Sequence, residues 1–218
     1  MKFKCLILDH DDTVVNSTAT IHFPCFIQYL REKFPHLADN YTLDDYFRKN
    51  FDPGVISLFR DEIGLTEEEM KAEEQYWKDY VRSHVPSFYP GIPEIIADFK
   101  KEGGIVAVAS HSFEHYIRRD YELSGVTMPD VIYGWDLPNE RRKPSPYAAL
   151  DVMKRYSLLP SEVLVVDDLK PGYDMARGAG VRFAAAGWAY AVAEIEQCMR
   201  KNCDYYLKST DQLRKLLF

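Results

Sequence analysis

The sequence is poor in cysteine and has no long apolar run. Its four cysteines, Cys5, Cys25, Cys198 and Cys203, are not spaced as Cys-x-x-Cys, which predicts reduced, mostly buried thiols rather than a disulfide framework. No uncharged stretch approaches the roughly 20 residues that a membrane-spanning helix requires. The first residues also lack the apolar segment and cleavage site of a secretory signal. We therefore expect a cytoplasmic protein that does not bind membranes.

Positive charge is also scarce. The chain has 27 lysine and arginine residues against 34 aspartate and glutamate residues, which gives a formal net charge of −7. A chain of this sign is not drawn over distance toward nucleic acids or anionic membranes, so neither is expected as a partner. A small anionic substrate is compatible with this charge only where the binding site is locally positive. The 218 residues, 46% of them hydrophobic, suit one globular domain or a core domain that carries a smaller one.

Short apolar runs alternate with helix-length segments along much of the chain. Several of these segments begin with Pro or Ser and end near Gly, as helices often do. This alternation predicts an α/β fold, in which a parallel sheet has helices on both faces. The predicted strands cover residues 3–8, 104–110, 130–134, 162–168, 181–187 and 204–209.

Residues 16–88 interrupt the alternation, because they contain helical patterns and no convincing strand. Pro24 must kink or restart the first of these helices. Thr66 is a plausible helix N-cap, with Glu69 three residues further on as in a capping box. We therefore predict an α/β core domain formed by residues 1–15 and 89–218, and a helical domain formed by residues 16–88.

Two predicted strands end in pairs of acidic residues. Asp9 and Asp11 follow the first strand, and Asp167 and Asp168 follow the run "VLVV". Ligands of parallel α/β sheets bind beyond the carboxyl ends of the strands, where these side chains and Ser110 are expected to converge. Buried carboxylates repel one another unless a cation lies between them, and open sets of oxygen ligands suit Mg²⁺. A carboxylate beside Mg²⁺ is in turn a competent nucleophile toward a phosphoryl group.

Four motifs in order carry a resemblance to a known family. The segment "DHDDT" is similar to the DxDxT signature of the haloacid dehalogenase-like (HAD) superfamily. "VAVAS" at Ser110, "RRKPSPYAAL" at Lys143 and "VLVVDDLKPGYDMARGAGV" at Asp167 and Asp168 resemble the family's other three motifs. The resemblance is to members with a helical cap between the first two motifs, such as phosphoglycolate phosphatases and β-phosphoglucomutases. It implies a Rossmann-like three-layer core with a parallel sheet, plus a small all-helical cap domain.

The resemblance also implies roles for the acidic residues. Asp9 would be the nucleophile and a ligand of Mg²⁺. Asp11 would protonate the leaving alcohol, activate the water that hydrolyses the aspartyl-phosphate, and lend its backbone carbonyl to the metal. Asp168 would be a further metal ligand, with Asp167 assisting. Family members that cleave carbon–halogen or carbon–phosphorus bonds lack the acid at Asp11, so its presence favours hydrolysis of a phosphate ester or phosphoryl transfer.

The remaining implied site residues bind substrate. Ser110 and Lys143 would hold the transferring phosphoryl group as catalytic residues. The Thr13 hydroxyl would either contact the phosphoryl oxygens or brace the loop, and His111 would either contact substrate or serve as hydrogen-bonded structure. We expect the substrate to be a small phosphorylated metabolite, and the protein to be a monomer or weak dimer.

In the predicted cap domain, Arg48 and Lys49 are candidates for binding an anionic substrate, or else ordinary exposed side chains. His22 invites comparison with the sugar-phosphate mutases of the family, which place a histidine one residue earlier when counted from the nucleophile. We therefore expect a phosphatase, with a phosphomutase or a non-catalytic binding module as alternatives.

Two positions depart from the family pattern. Asp12 stands where the family usually has glycine; we expect it to adopt a positive φ and to point outward, the alternative being an inward side chain whose charge would weaken phosphate binding. Asp174 lies beyond the expected ligand position and is left out of the site, because Gly172 occupies the place where some relatives have a second acid.

Overall fold

A six-stranded parallel sheet forms the centre of the fold. The computed structural model describes residues 2–218; residue 1, which begins the predicted core segment 1–15, lies outside the described residues. The predicted parallel sheet is confirmed, and each of its six strands lies within one of the predicted ranges. The strands within residues 2–218 are β1 (Cys5–Leu8), β2 (Val15–Asn16), β3 (Ser87–Phe88), β4 (Ile105–Ala109), β5 (Val131–Tyr133), β6 (Val163–Asp167), β7 (Arg182–Ala186) and β8 (Tyr205–Leu207).

The strand order places the first strand at the middle of the sheet. The order is β5-β4-β1-β6-β7-β8, so β1 pairs with β4 on one side and with β6 on the other. Leu8 faces Val108 of β4 and Val166 of β6, so these three strands end at the same edge. The later strands β4 and β5 lie on one side of β1, and β6, β7 and β8 lie on the other. The strand order therefore reverses at β1, and α/β proteins bind their ligands at such a point.

Helices cover both faces of the sheet. Each strand alternates its side chains between the faces, and Leu6, Leu8, Val106 and Val108 contribute to one buried cluster that also contains residues of α5, α6 and α10. The helices are α1 (Phe23–Lys33), α2 (Leu43–Phe51), α3 (Val55–Ser57), α4 (Glu67–Arg82), α5 (Ile92–Lys101), α6 (Glu114–Leu123), α7 (Tyr147–Tyr156), α8 (Lys170–Ala179), α9 (Ala193–Asn202) and α10 (Thr210–Leu217).

The chain divides into two compact units. One contains the residues up to Asn16 together with Ser87–Phe218, and the other contains Ser17–Pro86. The second unit is helical throughout. In addition to α1–α4 it contains π-helical turns at Thr18–His22 and Leu58–Ile63 and a short 3₁₀ turn.

An aromatic cluster forms the interior of the helical unit. Phe26 of α1 contacts the rings of Tyr41, Tyr46 and Phe59 at centroid distances of 4.9–5.7 Å. Aromatic pairs of this kind bury large areas and add specific edge and face contacts. The buried leucines Leu30, Leu58 and Leu65 belong to the same cluster, so this core combines aromatic and aliphatic side chains.

Local signals in the helical unit place its helices as expected. Pro24 lies in the first turn of α1, where its missing N–H costs no hydrogen bond, so it starts the helix rather than breaking it. Thr66 caps α4 with the predicted capping box: its side chain accepts from the Glu69 amide, and the Glu69 carboxylate accepts from the Thr66 amide at 2.8 Å. The capping box predicted from the sequence is therefore confirmed.

One small element was missed by the sequence analysis. Val15–Asn16 and Ser87–Phe88 form a two-residue antiparallel pair, separate from the main sheet. A pair this short has no detectable period in the sequence. All four cysteines are free thiols; Cys5 and Cys25 are buried, and the other two are half-buried. Every helix within residues 2–218 is too short or too polar to cross a bilayer.

Candidate active site

Three carboxylates converge beyond the ends of β1 and β6. Oxygen atoms of Asp9, Asp167 and Asp168 all lie within 4.8 Å of one another, and the three side chains are buried. Asp9 continues the strand ladder, because its amide donates to the Val166 carbonyl at 2.9 Å. The parallel register of β1 and β6 therefore brings together acids that are more than 150 positions apart in the chain.

A buried lysine lies among these acids. The Lys143 ammonium donates to Asp9 at 2.7 Å and to Asp167 at 2.6 Å, and its side chain is only 5% exposed. Burial by itself lowers the pKa of Lys143, but the two carboxylates outweigh burial and raise the pKa above its usual value. Lys143 therefore stays protonated, and it supplies one fixed positive charge to the site.

One lysine does not balance three acids. Burial raises the pKa values of Asp9 and Asp168 well above the usual value, and the neighbouring Asp167 raises both further, while Lys143 opposes the rise. The cluster thus carries more negative charge than its protein surroundings compensate. Its donors are all carboxylate oxygens, the ligand type that Mg²⁺ prefers. The residues present therefore fit a hard divalent cation, which Asp9, Asp167 and Asp168 could hold.

Asp11 is held by two serine hydroxyls. Ser112 donates to its Oδ2 at 2.6 Å and Ser110 donates to the same oxygen at 3.4 Å. Ser110, which follows β4, also accepts from the Ser112 amide at 3.0 Å. The sequence analysis named Ser110 and missed Ser112. Ser112 lies only two residues after Ser110, which could have indicated a role at the same site. A serine after a strand end is common in loops, however, so this position alone did not predict a contact with Asp11.

Thr13 and two aromatic residues surround Asp168. The Thr13 hydroxyl is fully buried and donates to Asp168 at 3.3 Å, which is the bracing arrangement among the two alternatives considered for it. The Tyr190 hydroxyl donates to the Asp168 carbonyl at 2.9 Å, and the Trp188 indole N–H donates to the Thr13 carbonyl at 3.2 Å. Both aromatic residues follow β7 in a turn that carries no motif, so no sequence pattern indicated them.

His111 contacts the backbone of the buried lysine. Its Nε2 lies 3.0 Å from the Lys143 carbonyl, and its ring meets Trp135 edge-on at a centroid distance of 5.4 Å. Burial, assisted by the Lys143 charge, lowers the pKa of His111 to about 4. The ring is therefore neutral at pH 7 and donates from Nε2 to the carbonyl. This is the structural role that the sequence analysis gave as its alternative to substrate contact.

Asp12 differs in part from its expectation. Its φ is +58°, the positive value expected for a residue in the place of a glycine. It does not point outward into solvent, however, because it is only 4% exposed. Its charge also raises the pKa of Asp168, by less than burial and the charges of Asp167 and Asp9 do. The expectation of an outward side chain was therefore wrong, and Asp12 adds negative charge beside the cluster.

Gly172 leaves room for Asp167. A Cβ atom at Gly172 would lie 2.0 Å from Asp167 Oδ2, so only glycine permits this position of the carboxylate. Asp174, two residues further along α8, instead pairs with Lys170 at 3.3 Å and is 38% exposed. Asp174 therefore lies outside the acidic cluster, in agreement with its omission from the predicted site.

We expect Gly172→Ala to displace the Asp167 carboxylate and to weaken its contact with Lys143. Overpacking of this kind typically destabilises a protein by about 1–3 kcal/mol. The melting temperature should fall, and calorimetric titration should show weaker Mg²⁺ binding. Gly178→Ala is the matched control on the same helix, because its Cβ would lie 3.3 Å from the nearest atom, in Pro146. If Gly172→Ala behaved like this control, Gly172 would have no part in holding Asp167.

The cap candidates are engaged within the helical unit. Arg48 pairs with Asp45 at 3.0 Å, and Lys49 pairs with Glu62. These partners balance part of the positive charge that the sequence analysis attributed to the two residues. His22 accepts from the Trp77 indole N–H at 3.1 Å and stacks on its ring.

A family comparison matches most of the chain. Residues 6–186 match the model of the haloacid dehalogenase-like hydrolase family, which includes all four motif regions. The chain belongs to this family. The resemblance stated from the four motifs is thereby confirmed, and so is the α/β fold that it implied.

A curated relative carries a more specific name. Phosphoglycolate phosphatase 1 from Pseudomonas aeruginosa is 31% identical over 131 residues, which cover 58% of this chain and 47% of the relative. The match thus spans about half the length of that relative.

Solved structures of family members share the fold. A haloacid dehalogenase-like hydrolase, provisionally so named, from Bacteroides fragilis has a TM-score of 0.77 and 21% identity, and the alignment covers 97% of this chain and 100% of that one. A protein provisionally named as a phosphoglycolate phosphatase from Lactobacillus delbrueckii subsp. bulgaricus has a TM-score of 0.78 and 19% identity, with 100% and 99% covered. At these identities the likeness concerns the fold alone.

Proposed function

We propose that this family member is a Mg²⁺-dependent phosphatase that hydrolyses a small phosphate monoester through a phosphorylated Asp9. The observation that carries the proposal is the buried meeting of Asp9, Asp167 and Asp168 around Lys143, with Asp11 held nearby by serine hydroxyls. The named phosphatase relative supports the same activity class.

Asp9 is the proposed nucleophile. One carboxylate oxygen attacks phosphorus, an Asp9 O–P bond forms, and the bond from phosphorus to the ester oxygen breaks. Lys143, 2.7 Å from Asp9 Oδ1, holds that oxygen and offers N–H donors to the phosphoryl oxygens as charge moves onto them. The position of Asp9 at the end of a central strand keeps its carboxylate fixed during the attack.

Asp11 is the proposed proton carrier. In its protonated form it gives a proton to the leaving alkoxide, so the alcohol departs neutral. The resulting carboxylate then takes a proton from a water molecule, which attacks phosphorus and breaks the Asp9 O–P bond. Free phosphate leaves, and the enzyme returns to its starting state. The Ser112 contact at 2.6 Å keeps the Asp11 carboxyl group oriented through both steps.

The acidic cluster is the proposed metal site. Asp9 and Asp168 would hold Mg²⁺ together with the Asp11 carbonyl, and Asp167 would assist. The bound cation supplies the positive charge that lets a phosphate dianion approach several carboxylates. Ser110 remains the proposed partner of the transferring phosphoryl group. Arg48 and Lys49 of the helical unit remain the residues proposed to select the substrate.

A screen of phosphorylated metabolites tests the proposal. We expect Mg²⁺-dependent release of inorganic phosphate from at least one small monoester, with phosphoglycolate and sugar phosphates tried first by analogy with the family. Adding EDTA should abolish the release, and excess Mg²⁺ should restore it. Release that persists in EDTA would contradict the role of the metal, and no release from any ester would contradict the phosphatase.

The same screen separates the alternatives. A phosphomutase would convert a hexose 1-phosphate into its isomer without net phosphate release. A non-catalytic module would bind a phosphorylated ligand and leave it unchanged. Phosphorus NMR distinguishes these results in one experiment, because ester, isomer and free phosphate give separate signals.

A further inference from the structure

A buried histidine lies between the two reacting acids. His10 lies two residues after β1 and is only 1% exposed, and its side chain contacts residues of α6. Its Nε2 lies 3.1 Å from Asp120 Oδ2. Because an aspartate carboxylate only accepts hydrogen bonds, Nε2 carries the proton of this bond.

Asp120 is fixed in turn from its other side. Arg119 donates to Asp120 Oδ1 from two nitrogens, at 2.9 and 2.7 Å. The Asp120 side chain is 5% exposed and the Arg119 side chain is 19% exposed, so this network runs inward from the surface to His10. The His10 ring also stacks on Tyr121 at a centroid distance of 6.0 Å. Among residues 2–218 its Nδ1 has no hydrogen-bond partner, so Asp120 provides the only polar tether of the ring.

The backbone of His10 closes the catalytic loop. Its carbonyl accepts from the amides of Val14 and Val15, both at 3.0 Å, and this double contact folds the turn that contains Asp11. Ser112, which holds the Asp11 carboxyl group, lies two residues before the start of α6. The segment from Ser112 to Tyr121 therefore contacts this turn at two points. Asp120 binds the His10 side chain, and Ser112 binds the Asp11 carboxyl group.

We infer that the His10–Asp120 pair is a positioning element, which fixes the direction of Asp11 relative to Asp9. The inference rests on the proposed function. Rotation of the peptide between residues 10 and 11 changes the direction of the Asp11 carboxyl group more than that of Asp9, whose amide is fixed to Val166. Loss of the tether therefore affects proton transfer to the leaving group more than attack on phosphorus.

Two substitutions at His10 test the inference. His10→Leu removes the N–H donor and leaves Asp120 without this partner, whereas His10→Gln retains an N–H donor of similar reach. The reported quantity is the ratio of kcat/KM for an alkyl phosphate to kcat/KM for p-nitrophenyl phosphate. Nitrophenolate leaves without protonation, so the ratio isolates the acid step. We expect His10→Leu to lower this ratio by about 10²-fold, and His10→Gln to restore most of it.

The matched control is an ion pair that serves stability alone. Lys100 pairs with Asp130 at 2.8 Å and ties α5 to the start of β5. Lys100→Met should lower the melting temperature without changing the ratio. If His10→Leu lowered kcat/KM for both esters by the same factor, the His10–Asp120 pair would only stabilise the fold and the inference would be wrong.

Amide hydrogen exchange provides a readout that needs neither metal nor turnover. In metal-free protein, His10→Leu should speed exchange at Val14 and Val15, whose amides donate to the His10 carbonyl, while Lys100→Met should not. If His10→Leu exchanged faster while the wild-type protein hydrolysed no ester, the phosphatase would be contradicted and the tether would be supported. Unchanged exchange in His10→Leu would overturn the tether, whatever the activity.

Discussion

Asp9→Asn is expected to abolish hydrolysis of p-nitrophenyl phosphate in the presence of Mg²⁺. An amide is a poor nucleophile and a weaker metal ligand, so the substitution removes the attacking group and one ligand in a single step. Removal of a catalytic nucleophile lowers kcat by about 10⁴-fold or more in well-studied hydrolases. Steady-state release of nitrophenolate measures the loss directly.

The control for this variant is Asp174→Asn. Asp174 is a half-exposed acid on α8 that lies outside the cluster, so its neutralisation should leave kcat/KM unchanged. Circular dichroism should show both variants to be folded, because Asn has the size and shape of Asp. Turnover by Asp9→Asn near the wild-type rate would rule out Asp9 as the nucleophile.

Lys143→Met is expected to reduce both stability and activity. The substitution retains the size of the side chain but leaves Asp9 and Asp167 without their ammonium partner in a buried site. Breaking a buried ion pair in this way typically costs about 3–5 kcal/mol. For a protein of this size, that corresponds to a fall of roughly 10 °C in melting temperature. Phosphate release should fall as well, because Lys143 pairs directly with the proposed nucleophile Asp9.

Mg²⁺ should distinguish this effect from a simple packing defect. A cation that binds the three carboxylates offsets part of the lost positive charge, so the melting temperature of Lys143→Met should rise more with Mg²⁺ than that of the wild type. The control is Lys4→Met, which removes a pair with Glu162 whose lysine is 66% exposed and whose contribution should stay below about 1 kcal/mol. Equal melting temperatures for the two variants would contradict the proposed role of Lys143.

The sequence predicted the sheet because its strands are buried on both faces. Residues 105–109 and 163–166 are continuously apolar, and helix boundaries carry Pro, Ser, Thr and Gly signals whose effect is local. The pair Val15–Asn16 with Ser87–Phe88 was missed for the opposite reason. It is two residues long, and it depends on contacts between segments about 70 positions apart.

General rules predicted the site residues that follow strand ends, whereas Lys143, which follows no strand, was predicted from the family resemblance. The parallel-sheet rule brings Asp9 and Asp167 together without any knowledge of the rest of the fold. Ser112 and Asp120 follow no such rule, because their partners lie about 100 positions away and are fixed by how α6 packs. The burial of Asp12 was missed because its place in the turn indicates a positive φ but not the direction of its side chain.

The short antiparallel pair between Val15–Asn16 and Ser87–Phe88 forms a neck through which the helical segment leaves the sheet unit and returns to it. Facing residues of such a pair lie about 5 Å apart, the span of a tight hairpin turn. The strand register is consequently independent of the length and content of the segment between the two ends. We therefore expect a change in the length of the intervening segment to leave the sheet edge that holds Asp9 and Asp167 in place.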